Sequence, residues 1–295
     1  MNNPKVSVIM SSYNHALYVA QAIESVVNQT YKNIELIVVD DGSKDESPQI
    51  LKELQEKYGF YLECRDNYGL IATFNYMLQN LVSGKYVCFI ASDDFWSLDR
   101  LEKMVSLMEL NPECGLGHSD VFIVDNSNRI LNAEHIARNK KSGCIFKDFI
   151  IGDYTIETPS MIVPYIIYKE VGFYNEALPI EDYQMWLLIS SRYSVCYLPE
   201  KLVYYRKHET NMSGNDLKML LAEEKIIESW IGNEQFEDIK HKVYIRFFSR
   251  FAKYDKVKAI KYLMKSLSKD VFLYKDFYKG LRRLFFYWNF KNDKL

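Results

Sequence analysis

Residues 6–47 read VSVIMSSYNHALYVAQAIESVVNQTYKNIELIVVDDGSKDES, and their periodicity decides the fold class. The stretch opens on a near-continuous apolar run, VSVIM (6–10), and reaches a second at IELIVV (34–39). Runs of this length, rich in β-branched residues, suit strands of a parallel sheet covered on both faces. Between them Leu17, Ala20, Ile23, Val26 and Val27 recur at spacings of three and four, the repeat of a helix with one apolar face. Strand, helix and strand in this order make a right-handed βαβ unit of an α/β fold. Working outward, KYVCFIA (85–91) predicts a third strand and FYLEC (60–64) a weaker fourth, with amphipathic helices at 47–57 and 70–82.

Beyond a helix expected at 98–110 and closed by Asn111-Pro112, the rhythm changes. Residues 116–133 predict a strand and hairpin turning at Asp125-Asn126-Ser127-Asn128, and 181–192 a helix. VCYLP (195–199) and LVYYRKH (202–208) predict two short strands, and from about 217 onward the spacing is helical throughout. A break at Ser213-Gly214-Asn215 divides an α/β domain, 1–213, from a helical region, 214–295.

At 295 residues, 48% hydrophobic and 26% charged, the chain has the composition of a globular protein, not of a disordered, collagenous or disulfide-framework one. Cys64, Cys88, Cys114, Cys144 and Cys196 are an odd, scattered set with no Cys-x-x-Cys pair. They argue against an oxidised framework and a structural zinc site, and for a reducing compartment. MNNPKVSVIM lacks a secretory pattern, and no apolar run, MIVPYIIY (161–168) among the longest, approaches the roughly 20 residues of a spanning helix. A cytoplasmic location is expected. The net charge of −2 conceals an asymmetry: residues 240–295 hold 16 Lys and Arg against 4 Asp, or +12, leaving −14 for the rest.

Ligands of open α/β sheets bind outside the carboxyl ends of the strands. The three best strands end in Ser11-Ser12-Tyr13-Asn14, Asp40-Asp41-Gly42-Ser43 and Ser92-Asp93-Asp94, which converge if the strands are parallel. Ser43-Lys44-Asp45-Glu46 fits a capping box, which leaves Asp40 and Asp41 unexplained. Ser97 offers an N-cap to the helix after it, so capping does not account for Asp93 and Asp94 either. Adjacent carboxylates repel unless compensated, and a hard divalent cation takes one or two of them together with substrate phosphates. Glu181-Asp182, heading YQMWLLISSRY, either compensate a helix dipole, worth only ~0.3–1 kcal/mol, or supply a general base. Arg206 and His208 are either phosphate ligands or an exposed strand end. No P-loop, GxGxxG or HExxH is present.

Taken in order, the opening stretch, DNYGLIATFN (66–75), FIASDDFW (89–96), PIEDYQMWLL (179–188) and LVYYRKHETNMS (202–213) resemble family 2 glycosyltransferases over roughly residues 5–213. The resemblance implies a GT-A fold, a Rossmann-like, mixed and mostly parallel sheet flanked by helices, here followed by a C-terminal helical region. It also implies an inverting, metal-dependent transfer from a nucleotide-sugar, with Mn2+ or Mg2+ as cofactor. By position, Ser11, Tyr13 and Asp41 hold the ribose and a uridine base; Asp93 matches the metal-binding acid of the DxD motif, with Asp94 beside it. Asp182 matches the catalytic base, and Arg206 and His208 the strand that closes on the diphosphate. Two positions depart from the family pattern: Ala91 replaces the first Asp of DxD, and Phe74 an Arg often found in an Ala-Arg-Asn segment. Enzymes of this kind often extend lipid-linked or polysaccharide acceptors of the cell surface. Two other classes stay open: sugar nucleotidyl transfer, and a helical assembly subunit with a degenerate nucleotide site.

In 271–290 Lys275, Asp276, Lys279, Arg282 and Arg283 fall on one helical face, and Tyr274, Phe277, Tyr278, Leu281, Leu284, Phe285 and Trp288 on the other. Such a helix suits the surface of an anionic membrane, here the inner face of the plasma membrane. Equally, it suits packing on neighbouring helices or on a second subunit in a homo-oligomer. No nucleic-acid-binding motif accompanies the charge.

Overall fold

The structure is a computed structural model that describes residues 3–131, 140–178, 180–208, 216–268 and 270–286. Two compact units divide the chain: Met1–Ile145 with Thr155–Asn211, and Phe146–Tyr154 with Met212–Leu295. The expected break at Ser213-Gly214-Asn215 lies outside the described residues.

The first unit begins β1 (Val6–Ser12), α1 (Val19–Val27), β2 (Ile34–Asp41), α2 (Ser47–Tyr58), β3 (Tyr61–Arg65), α3 (Leu70–Asn80) and β4 (Tyr86–Phe89). It continues through β5 (Phe95–Trp96), α4 (Arg100–Leu110) and β6 (Cys114–Val124). After α5 (Phe146–Ile150), which belongs to the second unit, come β7 (Ile162–Pro164), α6 (Tyr165–Val171), α7 (Glu181–Ser190) and β8 (Ser194–Arg206). One eight-stranded sheet results, in the order β3-β2-β1-β4-β7-β6-β8-β5. Pairs β1–β2, β1–β4, β2–β3 and β6–β8 are parallel, while β4–β7, β6–β7 and β5–β8 are antiparallel. Val8, Met10, Val38 and Cys88 from the strands pack with Ala22, Ile23 and Val26 of α1 and Leu51 of α2, all buried. This is the burial that the apolar runs of β1 and β2 require.

Topology explains how distant segments reach one edge. Since β7 reverses against both β4 and β6, β6 runs in the direction of β4, and its parallel partner β8 does too. The carboxyl ends of β1, β2, β4, β6 and β8 therefore emerge together.

Several local expectations are corrected. Residues 194–206 form one strand, not two, because bulges in the β6–β8 register near Ser119 and Asp120 let it pass Pro199 unbroken. β7, only three residues long, carries no period of its own and escaped the sequence pattern. The capping box at Ser43 does not form: α2 starts at Ser47, and the Ser43 hydroxyl donates to Asp40 Oδ2 at 2.6 Å. Nor does Ser97 cap α4, which starts at Arg100; the Ser97 N–H donates to Leu202 O instead. Cys114 and Cys196, 82 residues apart, are joined as a disulfide, contrary to the expectation drawn from their scatter. Adjacent β6 and β8 bring their Cα atoms to 5.9 Å, inside the usual disulfide range.

The second unit adds α8 (Asp216–Glu228), α9 (Glu234–Glu237), α10 (Lys240–Phe251), α11 (Lys256–Ser266) and α12 (Lys275–Phe286). Its core is aromatic: Phe251 stacks on Tyr262 with ring centroids 5.5 Å apart, and Phe247 lies 5.1 Å from the same ring. Among the described residues no helix is long and apolar enough to cross a membrane.

Candidate active site

At the shared carboxyl edge, β4 delivers Asp93 and Asp94 while the residues just past β8 deliver His208. The His208 Nε2 and Asp93 Oδ2 atoms are 2.8 Å apart. His15, just past β1, brings a third side chain: one potential ligand atom each from His15, Asp93 and His208 lie within 4.8 Å of one another. Its Nδ1 is 2.7 Å from Ser92 Oγ, so the imidazole is oriented by the residue preceding Asp93. Burial lowers the His15 pKa below its ordinary value; the Asp93 charge works against that and His208 with it. A neutral imidazole, the form that ligates metals, is thereby favoured. His15 drew no notice in the sequence, where a lone loop histidine carries no spacing signal.

Asp94 points elsewhere. It is buried, with Oδ1 accepting the Arg206 N–H at 2.8 Å and Oδ2 lacking a hydrogen-bond partner among the described residues. Desolvation, reinforced by the Asp93 charge, pushes its pKa well above the usual carboxylate range.

Arg206 is 1% exposed and is engaged by its own chain. Its Nε donates to Asp93 O at 2.8 Å, Nη1 to Asp125 O and Nη2 to Gln21 Oε1, both at 2.9 Å. The guanidinium lies 4.6 Å from the centroid of the Tyr18 ring, so it braces the site from beneath. Consecutive residues at a strand end face opposite ways, and the next residue, Lys207, is the cation that faces out. Lys207 lines an open cleft of about 680 Å³ with Asn14, His15, Tyr18, Asn126 and His208. A second cavity, of about 450 Å³, lies at the start of β2 among Ile34, Glu35, Tyr58 and Tyr61, away from these residues.

The end of β2 is tied to the end of β1. Asn14, at φ 54°, donates its N–H to Ser43 Oγ and accepts from Lys44 N–H, while Asp40 accepts from Ser43. Asp41 is buried, and its carboxylate accepts from Tyr68 N–H at 3.1 Å, Gly69 N–H at 2.8 Å and the Thr73 hydroxyl at 2.9 Å. Gly42 follows at φ 81°, where a Cβ would stand 2.7 Å from Asn67 N, so only glycine lets this turn close on the loop before α3. Ser11 is partly buried beside β2, and Tyr13 is 46% exposed beyond the strand end.

Asp182 sits in the first turn of α7. Its Oδ2 accepts from the Thr158 hydroxyl at 3.0 Å and its Oδ1 from Tyr183 N–H at 2.5 Å. Desolvation raises its pKa, opposed by those two hydrogen bonds. Pro159, beside Thr158, accepts from the Trp96 indole at 3.1 Å, which links the Asp182 support to the β4–β5 turn bearing Asp93. Phe74 fills the departure noted in the sequence with packing: its ring lies 4.9 Å from that of Phe89.

The family described as Glycosyl transferase family 2 matches residues 7–163. An uncharacterized glycosyltransferase of Methanocaldococcus jannaschii is 30% identical over 211 residues, covering 70% of this chain and 72% of its own. Escherichia coli WfaP, named as a UDP-Glc:alpha-D-GlcNAc-diphosphoundecaprenol beta-1,3-glucosyltransferase, is 26% identical across 76% of this chain and 86% of its own. Among solved structures, S. aureus TarS 1–349 in complex with UDP-GlcNAc superposes with a TM-score of 0.66 at 18% identity, covering 95% of this chain and 81% of its own. This chain spans 54% of the longer TarS chain. The mannosyltransferase PcManGT from Pyrobaculum calidifontis, in complex with GDP-Man and Mn2+, gives 0.61 at 14% identity, covering 97% of this chain and 88% of its own. At these identities the likeness is one of fold, and the fold is GT-A.

Proposed function

The chain belongs to glycosyltransferase family 2, and from that premise we propose that it transfers a sugar, with inversion, from a UDP-sugar to a hydroxyl of a lipid-linked or polysaccharide acceptor in cell-surface glycan synthesis. The meeting of Asp93, His208 and His15, from the segments that follow three strands, carries this proposal. WfaP, by its name, acts on a diphosphoundecaprenol acceptor with UDP-Glc, which supports the lipid-linked class.

Asp93, His208 and His15 would hold a divalent cation. Their spacing fits one, and burial favours the neutral form of the His15 imidazole. One carboxylate with two imidazoles suits Mn2+ better than Mg2+, which prefers oxygen and water. Such a cation, when bound, neutralises the charge that develops on a departing diphosphate. Lys207 adds a fixed positive charge to the same cleft. Ser11, Tyr13 and Asp41 receive the base and ribose, with Asp41 holding the Tyr68–Gly69 turn against them. Arg206 keeps Asp93 and Asp94 in place. Asp182 takes the acceptor hydroxyl's proton as that oxygen attacks the anomeric carbon opposite the diphosphate. The carbon–oxygen bond to the diphosphate breaks, and the configuration inverts.

A thermal-unfolding screen of nucleotide-sugars tests this. A UDP-sugar with Mn2+ is expected to raise the midpoint, as a ligand at a hundredfold its Kd adds about 2.7 kcal/mol. The same donor should release UDP during turnover. Release of pyrophosphate would instead assign nucleotidyl transfer, and protection by no nucleotide-sugar would favour a degenerate site.

A further inference from the structure

Within the second unit, α12 is held by a face that includes Phe277 and Gly280. Gly280 lies so near α10 that a Cβ there would meet the Phe248 ring at 2.4 Å. That contact fixes the rotation of α12 and decides which residues point outward. They are Lys275, Tyr278, Lys279, Arg282, Phe285 and Phe286. On α11, Ala259, Tyr262 and Ser266 are buried, which turns Val257, Ile260, Lys261, Met264 and Lys265 outward. Leu267, Phe272 and Leu273, between the two helices, are exposed as well. Exposure of the apolar members runs from 47% at Ile260 to 82% at Phe286. Large apolar side chains grouped this way on a globular surface mark an interaction site.

We infer that this outward face of α11 and α12 docks the protein on an anionic lipid bilayer. Charge selects that occupant. The exposed residues from Val257 to Phe286 include Lys261, Lys265, Lys275, Lys279 and Arg282, against Asp270 and the half-exposed Asp276, which lies 4.0 Å from Lys279, as acids among the described residues. A second copy meeting the same face by two-fold symmetry would set these cations against their own equivalents. An anionic surface instead pairs with them while its acyl boundary takes up the aromatic and aliphatic side chains, as interfacial amphipathic helices do. Trp288, counted in the sequence pattern, lies outside the described residues. The inference stands apart from the donor chemistry, because binding is measured without donor or acceptor.

Flotation of the full chain tests it, with vesicles of phosphatidylcholine alone against vesicles that also contain phosphatidylglycerol. Association with the anionic vesicles only, weakening as salt rises, is the expected result. In the variant K275E/K279E/R282E the partition coefficient should fall about a hundredfold or more, each basic residue near such a surface being worth about 1 kcal/mol. All three side chains are exposed, so an unchanged thermal midpoint confirms folding. Equal flotation with both vesicle types overturns the inference, as does equal flotation of wild type and folded variant. A dimer in sedimentation that the variant loses would assign the face to a second copy, and likewise overturns it.

Discussion

Asp182→Asn is expected to lower kcat by roughly 10²–10⁴-fold, the usual contribution of a general base, while leaving donor affinity nearly unchanged. Asparagine preserves the shape and keeps one acceptor oxygen, for Thr158 or for the Tyr183 N–H but not for both, and it cannot take a proton. Burial holds the Asp182 pKa above its ordinary value, so the rate should fall as pH drops through a pKa above the ~4 of a free aspartate. Linkage adds a control. The folded state binds this proton more tightly than the unfolded chain does, so the ionised carboxylate costs stability, and stability declines as pH rises through the folded pKa. A thermal midpoint of the asparagine variant close to that of wild type at neutral pH then shows that its lost turnover is not unfolding. Near-wild-type turnover would remove Asp182 from the chemistry.

Asp93→Ala is expected to abolish the Mn2+-dependent part of UDP affinity. Asp93 is the only carboxylate of the three-ligand cluster and the hydrogen-bond partner of His208. Without it two imidazoles remain, without charge to offset the cation's dehydration. Losing even an outer partner of a metal ligand typically costs about 10–100-fold in affinity, so removal of a direct ligand should cost at least that. Titration of UDP with and without Mn2+ reads the effect: in the variant the two curves should coincide. A Mn2+ enhancement equal to that of wild type would place the cation elsewhere.

The apolar runs of β1, β2 and β4 and the helices between them were legible because each buried element repeats its own period. β7 was not, since three residues inserted antiparallel between β4 and β6 are placed by the sheet around them. At the site, the end of KYVCFIA singled out Asp93 and the end of LVYYRKH His208, and they converge because β7 reverses between β4 and β6, which lets β8 run parallel to β4. Arg206 turns inward and Lys207 outward because a strand end turns adjacent residues to opposite faces. That choice depends on where Val124 and Asp125 of the neighbouring segment lie, not on residue type. The His15–His208 meeting and the Cys114–Cys196 bond join positions far apart in the chain, and nothing local announces either. The large charge of the C-terminal region was plain in the composition, whereas its outward face depended on how Gly280 seats against Phe248.

Pulsed electron paramagnetic resonance of Mn2+ bound together with UDP tests most directly whether these far-separated side chains gather on one diphosphate. The spectrum should show coupling of a single Mn2+ both to phosphorus and to imidazole nitrogen, with the nitrogen coupling lost from the double variant H15A/H208A. Manganese coupled to phosphorus without protein nitrogen would contradict that assembly.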